Sequence, residues 1–156
     1  MRNELEGRGC LDVQVASTGT WAGLGHGATS EAVRILESRG IDLSRHRSRA
    51  FDRDDALGAD LIVAMTSVHV REILQEAPEV EDRLRLMKEL AEIRFDLPDG
   101  SPPKQRLSAL LGGTRPPARR DLDVDDPMGL PVSAYQRCVR ELETGIEVLV
   151  GILCGE

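Results

Sequence analysis

The sequence predicts an α/β fold in which helices pack against a parallel sheet. Strand-like segments alternate along the chain with segments of helical periodicity. Residues 61–65 (LIVAM) are apolar throughout, which is typical of a parallel strand covered on both faces. The chain also carries a long amphipathic helix, since apolar residues recur every three or four positions from Val132 to Leu153.

Local patterns predict the other elements. Thr29 and Thr66 are typical N-cap residues, Gly40 supplies a left-handed stop, and Pro78 cannot continue a helix. The predicted elements are the end of a helix over 1–9, a strand over 12–17 (DVQVAS), a helix from Thr29 or Ser30 to about Arg39, a helix from Thr66 to Pro78, an edge strand over 83–87 and a short helix over 104–111.

Length and composition fit a single domain over residues 1–156. A chain of this size buries enough surface to fold without cross-links. Residues 96–122 are rich in proline and glycine and predict a long loop, which in a small domain is either functional or disordered. The spacing of Cys10, Cys138 and Cys154 indicates neither a disulfide framework nor a zinc site, so we expect no metal or cofactor.

The charge of the chain limits its partners. The formal net charge of −7 disfavours nonspecific binding to nucleic acids and to anionic membranes, because the long-range field repels phosphate. The sequence shows no signal peptide and no apolar run of transmembrane length, so we expect a cytoplasmic protein.

Asp126 is the first candidate for catalysis. It lies in the acidic stretch DVDDPMGLP (123–131) and directly precedes Pro127, which restricts its backbone to extended conformations. A rigidly held carboxyl group suits a general acid that protonates a leaving oxygen or nitrogen. The alternative is that Asp-Pro begins a turn in a solvated acidic loop, and spacing alone favours that alternative.

Three further segments could line a site. Ligands of α/β folds bind beyond the carboxyl ends of the strands, which places residues 17–21, Thr66 and the Asp126 loop as candidate walls. The glycine-rich loop STGTWAGLG (17–25) is only a weak phosphate cradle, because it lacks a P-loop lysine. Trp21 in this loop either forms a pocket wall or covers the core.

The basic stretch SRHRSR (44–49) allows two interpretations. Its arginines could attract an anion, or they could be a solvated surface that balances an acidic protein. The second interpretation is better for most of these residues. His46 could instead be a buried hydrogen-bonding link.

Four segments together resemble the low-molecular-weight protein tyrosine phosphatase family. They occur in family order and are VASTGT (15–20), GIDLSRHRSR (40–49), ADLIVAMT (59–66) and DDPMGLPVSAY (125–135). Met-Thr at 65–66 and the gap-free match of residues 17–29 resemble most closely the bacterial protein arginine phosphatase branch. The resemblance implies a small three-layer α/β/α fold of the phosphotyrosine protein phosphatase I type.

The resemblance also implies a mechanism and roles for individual residues. In that family a cysteine thiolate attacks phosphorus, and the resulting phosphocysteine is then hydrolysed. Asp126 matches the aspartate that protonates the leaving group and later activates water. Ser17 and His46 match residues that support the phosphate loop, and Trp21 and Met128 match walls of the substrate cleft. Thr66 is a candidate for the same cleft from its position after the strand.

The family's Cys-x5-Arg motif is absent from these 156 residues. Ala16 and Thr144 stand six residues after Cys10 and Cys138, where the motif requires arginine. Residues 1–9 instead match the end of the helix that follows the motif. We therefore expect an N-terminally truncated form that lacks the first strand and the nucleophile loop and is inactive. We expect the full-length protein to hydrolyse phosphoarginine or phosphotyrosine in phosphoprotein substrates.

Two other functions are weighed against this one. The first is a pseudophosphatase that binds a protein partner through the 96–122 loop. The second, ranked lower, is arsenate reduction, which needs an additional cysteine pair in the middle of the chain. No cysteine lies between Cys10 and Cys138.

Overall fold

The computed structural model describes residues 1–96 and 100–155, in which helices surround a two-stranded parallel sheet. The predicted α/β class is confirmed. The helices are α1 (Arg2–Gly7), α2 (Ser30–Glu37), α3 (Arg53–Gly58), α4 (Ser67–Glu76), α5 (Pro103–Gly112) and α6 (Val132–Cys154), the strands are β1 (Ile62–Ala64) and β2 (Leu84–Leu86), and short 3-10 helices cover Pro78–Arg83, Glu89–Ala91 and Arg120–Leu122.

The sheet joins the two apolar segments in the middle of the chain. β1 and β2 run parallel, with Ile62 opposite Leu84 and Ala64 opposite Leu86. α4 forms the crossover between them, as parallel neighbours require. β2 lies within the edge strand predicted over 83–87, and all three of its residues are buried, including Arg85.

The predicted strand over residues 12–17 is wrong, because these residues form no strand. A strand requires a hydrogen-bonded backbone neighbour. The carbonyl of Val15 instead accepts a hydrogen bond from the side chain of Arg2, at 2.6 Å from Nη2. Val13 and Val15 still pack against the core, so their alternation indicated correctly which side chains face inward.

The helices predicted from caps and apolar periodicity are confirmed. The Thr29 side chain accepts a hydrogen bond from the N–H of Ala32, and Gly40 ends the following turn with a φ of +73°. The predicted helices over 104–111 and 132–153 appear as α5 and α6. α3 was not predicted; it spans only six residues and is capped by Asp52.

Two groups of buried side chains form the core. The first surrounds α6, and its most buried members are Leu5, Leu90, Leu110, Leu149 and Val150. The second lies between the sheet and α4, where Ala77, Val80, Leu84 and Leu122 are at most 2% exposed. The first group includes residues from α1, α5 and α6, and both α1 and α5 pack on α6.

A disulfide joins Cys10 to Cys154, across 144 positions of sequence. The expectation that the cysteines form no disulfide is therefore wrong. Sequence spacing gave no sign of this pair because the two residues meet only when α1 packs against α6. Cys138 remains as a free thiol.

Exchanging Gly145 for alanine is expected to destabilise the protein by about 1–2 kcal/mol, although alanine favours helices by up to about 1 kcal/mol. A Cβ at this buried position would meet the Met87 side chain and lie 3.0 Å from the Met87 carbonyl oxygen. Gly151 is the matched control, since a Cβ there meets nothing within 4 Å. Urea denaturation should show Gly151→Ala unchanged or stabilised, and equal effects of the two exchanges would contradict this packing.

Candidate functional site

The loop that carries Asp126 is fixed to the end of the sheet. Val124 is buried, and its N–H donates to the carbonyl of Met65, directly after β1, at 2.8 Å. The carboxylate of Asp123 accepts hydrogen bonds from the N–H and the hydroxyl of Ser67 at 2.7 and 3.0 Å. The segment that leads to Asp126 is thus anchored beyond the carboxyl end of β1, at the N-terminus of α4.

Asp126 itself is exposed and lies in a tight turn. Its Oδ1 accepts a hydrogen bond from the N–H of Met128 at 2.9 Å, and the N–H of Leu130 donates to the carbonyl of Pro127 at 3.0 Å. Gly129 adopts a φ of +75°, which the turn requires. The turn predicted as the alternative is present, and together with the proline it holds the carboxylate in one position.

The glycine-rich loop and the basic stretch lie side by side. The N–H of Gly19 donates to the carbonyl of Arg49, and the N–H of Gly25 donates to that of Ser48, both at 2.9 Å. The Ser48 hydroxyl in turn bonds to the carbonyl of Gly23. Because these glycine N–H groups are already used within the protein, residues 17–25 are not arranged as a phosphate cradle.

The predicted site residues differ in their exposure and in their hydrogen bonds. Ser17 and His46 are exposed, so the alternative of a buried His46 is wrong. Thr66 caps α4, and its hydroxyl accepts a hydrogen bond from the N–H of His69 at 3.2 Å. Met128 is 70% exposed. The roles of these residues toward a substrate stay predictions.

Trp21 does not cover the core, because it is 86% exposed. Its indole N–H nevertheless donates to Oε1 of Glu72 on α4 at 2.6 Å. Hydrogen bonding by the side chains of Thr20 and Trp21 holds the pKa of Glu72 below its ordinary value of 4.5, and the charges of His69 and Arg71 act in the same direction. Glu72 is therefore ionised at neutral pH.

The free thiol of Cys138 is not an activated nucleophile. Burial raises its pKa above the ordinary value of 9.0, and the negative charges of Glu141, Asp126 and Asp125 raise it further, against a smaller opposing effect of Lys88. A thiolate is the reactive form, so Cys138 is unsuited to attack phosphorus at neutral pH.

Sequence reasoning missed two residues of this region, Asp123 and Glu72. Asp123 stood out only as part of an acidic run, and Glu72 as a polar position on an amphipathic helix. Their partners lie 56 and 51 positions away. Within the described part of the chain, no group of three or more His, Cys, Asp or Glu side chains could hold a metal ion. Nor is any described helix long and apolar enough to cross a membrane.

Comparison with known proteins identifies the family. The model of the low molecular weight phosphotyrosine protein phosphatase family matches residues 1–106. The chain is 29% identical over 145 residues to the protein-arginine-phosphatase of Geobacillus stearothermophilus, a match that covers 93% of this chain and 80% of that protein.

Solved structures agree with this assignment. A low molecular weight protein tyrosine phosphatase from T. tengcongensis superposes with a TM-score of 0.68 at 28% identity, over 94% of this chain and 84% of that one. The YwlE arginine phosphatase, solved as a cysteine-to-serine mutant with a phosphorylated active site serine, superposes with a TM-score of 0.70 at 26% identity, over 96% of this chain and 80% of that one. The chain belongs to the low molecular weight phosphotyrosine protein phosphatase family.

Proposed function

We propose that the protein is a phosphoprotein phosphatase, that it hydrolyses phosphoarginine or phosphotyrosine, and that Asp126 is its general acid. The observation that carries this proposal is the anchoring of the Asp126 loop, through Val124 and Asp123, at the carboxyl end of β1. That edge of a parallel sheet is where α/β folds bind their ligands.

The proposed reaction has two steps. A cysteine thiolate forms a sulfur–phosphorus bond while the bond from phosphorus to the leaving nitrogen or oxygen breaks, and Asp126 gives its proton to the leaving atom. Water then attacks phosphorus, passes a proton to the Asp126 carboxylate and releases phosphate and the thiolate. The phosphorylated active site serine of the YwlE mutant supports a covalent step in that relative.

The nucleophile of this reaction is not among the 156 residues. They contain no Cys-x5-Arg motif, and the raised pKa of Cys138 disfavours the thiolate that a substitute nucleophile would need. We therefore propose that the motif precedes residue 1 in the active form. A cytoplasmic location and phosphoprotein substrates likewise stay proposals, supported by the family and by the arginine phosphatase relative.

The test compares two proteins. One is the chain of 156 residues, and the other, called the extended protein below, is the same chain preceded by the strand and Cys-x5-Arg loop of the Geobacillus relative. We expect the extended protein to hydrolyse p-nitrophenyl phosphate and the 156-residue chain to release no p-nitrophenol. Hydrolysis by the shorter chain that survives Asp126→Asn would refute the proposal, as would a folded but inactive extended protein.

The pseudophosphatase alternative gains no support from the 96–122 segment. Its helix α5 packs on α6, and the N–H of Thr114 pairs with the carbonyl of Arg94 at 2.9 Å. Parts of this segment are thus tied to the rest of the domain, and no observation on its described residues favours a partner protein.

A further inference from the structure

The Trp21 side chain is highly exposed, but a hydrogen bond holds the nitrogen edge of its ring. It is the single tryptophan of the chain and is 86% exposed, yet its indole N–H is bound to the Glu72 carboxylate at 2.6 Å. Hydrogen bonds to an ionised acceptor are among the stronger ones in proteins. The ring is therefore held at its nitrogen edge, while most of its surface stays open to a ligand.

The same helix holds both Trp21 and the loop of the general acid. Ser67, in the first turn of α4, binds Asp123 of the Asp126 loop, and Glu72 binds Trp21. The two contacts are five positions apart on the helix, a rise of about 7.5 Å along its axis. Packing of the neighbouring Ile73 in the core, where it is 6% exposed, keeps this part of α4 in place.

We propose that Glu72 is a positioning residue that holds the Trp21 indole as a rigid wall of the substrate cleft, where the ring stacks on the flat group of a phosphorylated side chain. The inference rests on the proposed function. A guanidinium group and a phenol ring are both flat and both stack on indole. Glu72 acts through Trp21 and does not touch the reacting atoms.

The first test uses the fluorescence of the single tryptophan in the 156-residue chain. Glu72→Ala removes the acceptor, Glu72→Gln keeps an oxygen but not the charge, and Glu76→Gln is the control on the same helix, since Glu76 is exposed. Time-resolved anisotropy should show a larger fast component for Glu72→Ala, an intermediate one for Glu72→Gln and no change for Glu76→Gln. Unchanged indole motion in Glu72→Ala would overturn the proposal.

The second test measures steady-state kinetics of the extended protein with a phosphoarginine peptide and with a phosphotyrosine peptide. Glu72→Ala should raise KM by about 2- to 10-fold, the range for one aromatic stacking contact, and leave kcat within about twofold. The substrate with the larger increase is the one whose flat group stacks on Trp21. Trp21→Phe keeps a ring but removes the N–H, so Glu72→Ala should have no additional effect in that background.

The two tests separate failure of the inference from failure of the proposed function. A loss of kcat with unchanged KM in Glu72→Ala, or an equal effect in the Trp21→Phe background, would overturn the positioning role while the phosphatase stands. If the extended protein is folded but inactive, the proposed phosphatase function is refuted, and so is the role of Trp21 as a wall of the substrate cleft. The anisotropy result still decides whether Glu72 fixes the indole.

Discussion

Replacing Asp126 with asparagine in the extended protein is expected to lower kcat by about 100- to 10,000-fold, the usual contribution of a general acid or base. Asparagine keeps the size of the side chain and an oxygen that can accept the hydrogen bond from Met128 N–H. The turn should therefore survive, and only the proton is lost. The measurement is phosphate release from a phosphoarginine or phosphotyrosine peptide under saturating conditions.

The neighbouring Asp125 is the matched control for this exchange. It is also exposed, precedes Asp126 directly and carries the same charge. Asp125→Asn should leave kcat within about threefold, because a solvated charge near the site acts only through a screened field. Equal losses for the two exchanges would mean that the acidic character of the loop matters and that Asp126 has no special role.

Replacing Glu89 with glutamine is expected to destabilise the protein by about 3–5 kcal/mol, the range for breaking a buried ion pair. Glu89 and Arg85 are both 2% exposed, and Arg85 Nε lies 4.0 Å from Glu89 Oε1. Arg115 adds two hydrogen bonds to the same carboxylate, at 2.9 and 3.1 Å. Burial lowers the pKa of Arg85, and the charges of Glu89 and Asp82 oppose that shift, so loss of the Glu89 carboxylate removes the larger of the two charges that stabilise this buried cation.

Glu92 provides the comparison for Glu89. Its carboxylate pairs with Arg119 at 2.5 Å, but the two side chains are each 39% exposed. Glu92→Gln should therefore cost less than about 1 kcal/mol. Urea denaturation of both variants, with equal slopes against urea concentration, measures the difference. A loss below about 1 kcal/mol for Glu89→Gln would show that Arg85 does not depend on this partner.

The sequence predicted well what short-range rules determine. The helix caps at Thr29 and Thr66 could be predicted because each cap and its N–H partner lie only three residues apart. The apolar periodicity of α6 likewise identified Tyr135, Leu149 and Leu153 as buried, whereas Val132 at the start of the same stripe is 44% exposed. The position of Asp126 in a rigid turn followed from Asp-Pro alone.

Long-range pairing could not be predicted in the same way. Residues 12–17 alternate like a strand but pair with no backbone neighbour within the described part of the chain. Arg85 is buried beside Glu89, and Arg115 binds the same carboxylate. The contacts of Asp123 with Ser67 and of Trp21 with Glu72 join residues more than fifty positions apart. Nothing in the local pattern of either residue indicates its partner.

The most direct test of the account is intact mass spectrometry of the extended protein with Asp126→Asn, mixed with p-nitrophenyl phosphate. The p-nitrophenolate leaving group departs without an acid, so the cysteine should still be phosphorylated. Hydrolysis of the phosphocysteine should be slow, because the Asp126 carboxylate that activates water is missing. We predict a species heavier by one phosphoryl group, located on the cysteine of the Cys-x5-Arg loop. No such species in the variant, while the parent extended protein turns over the same substrate, would contradict the role assigned to Asp126.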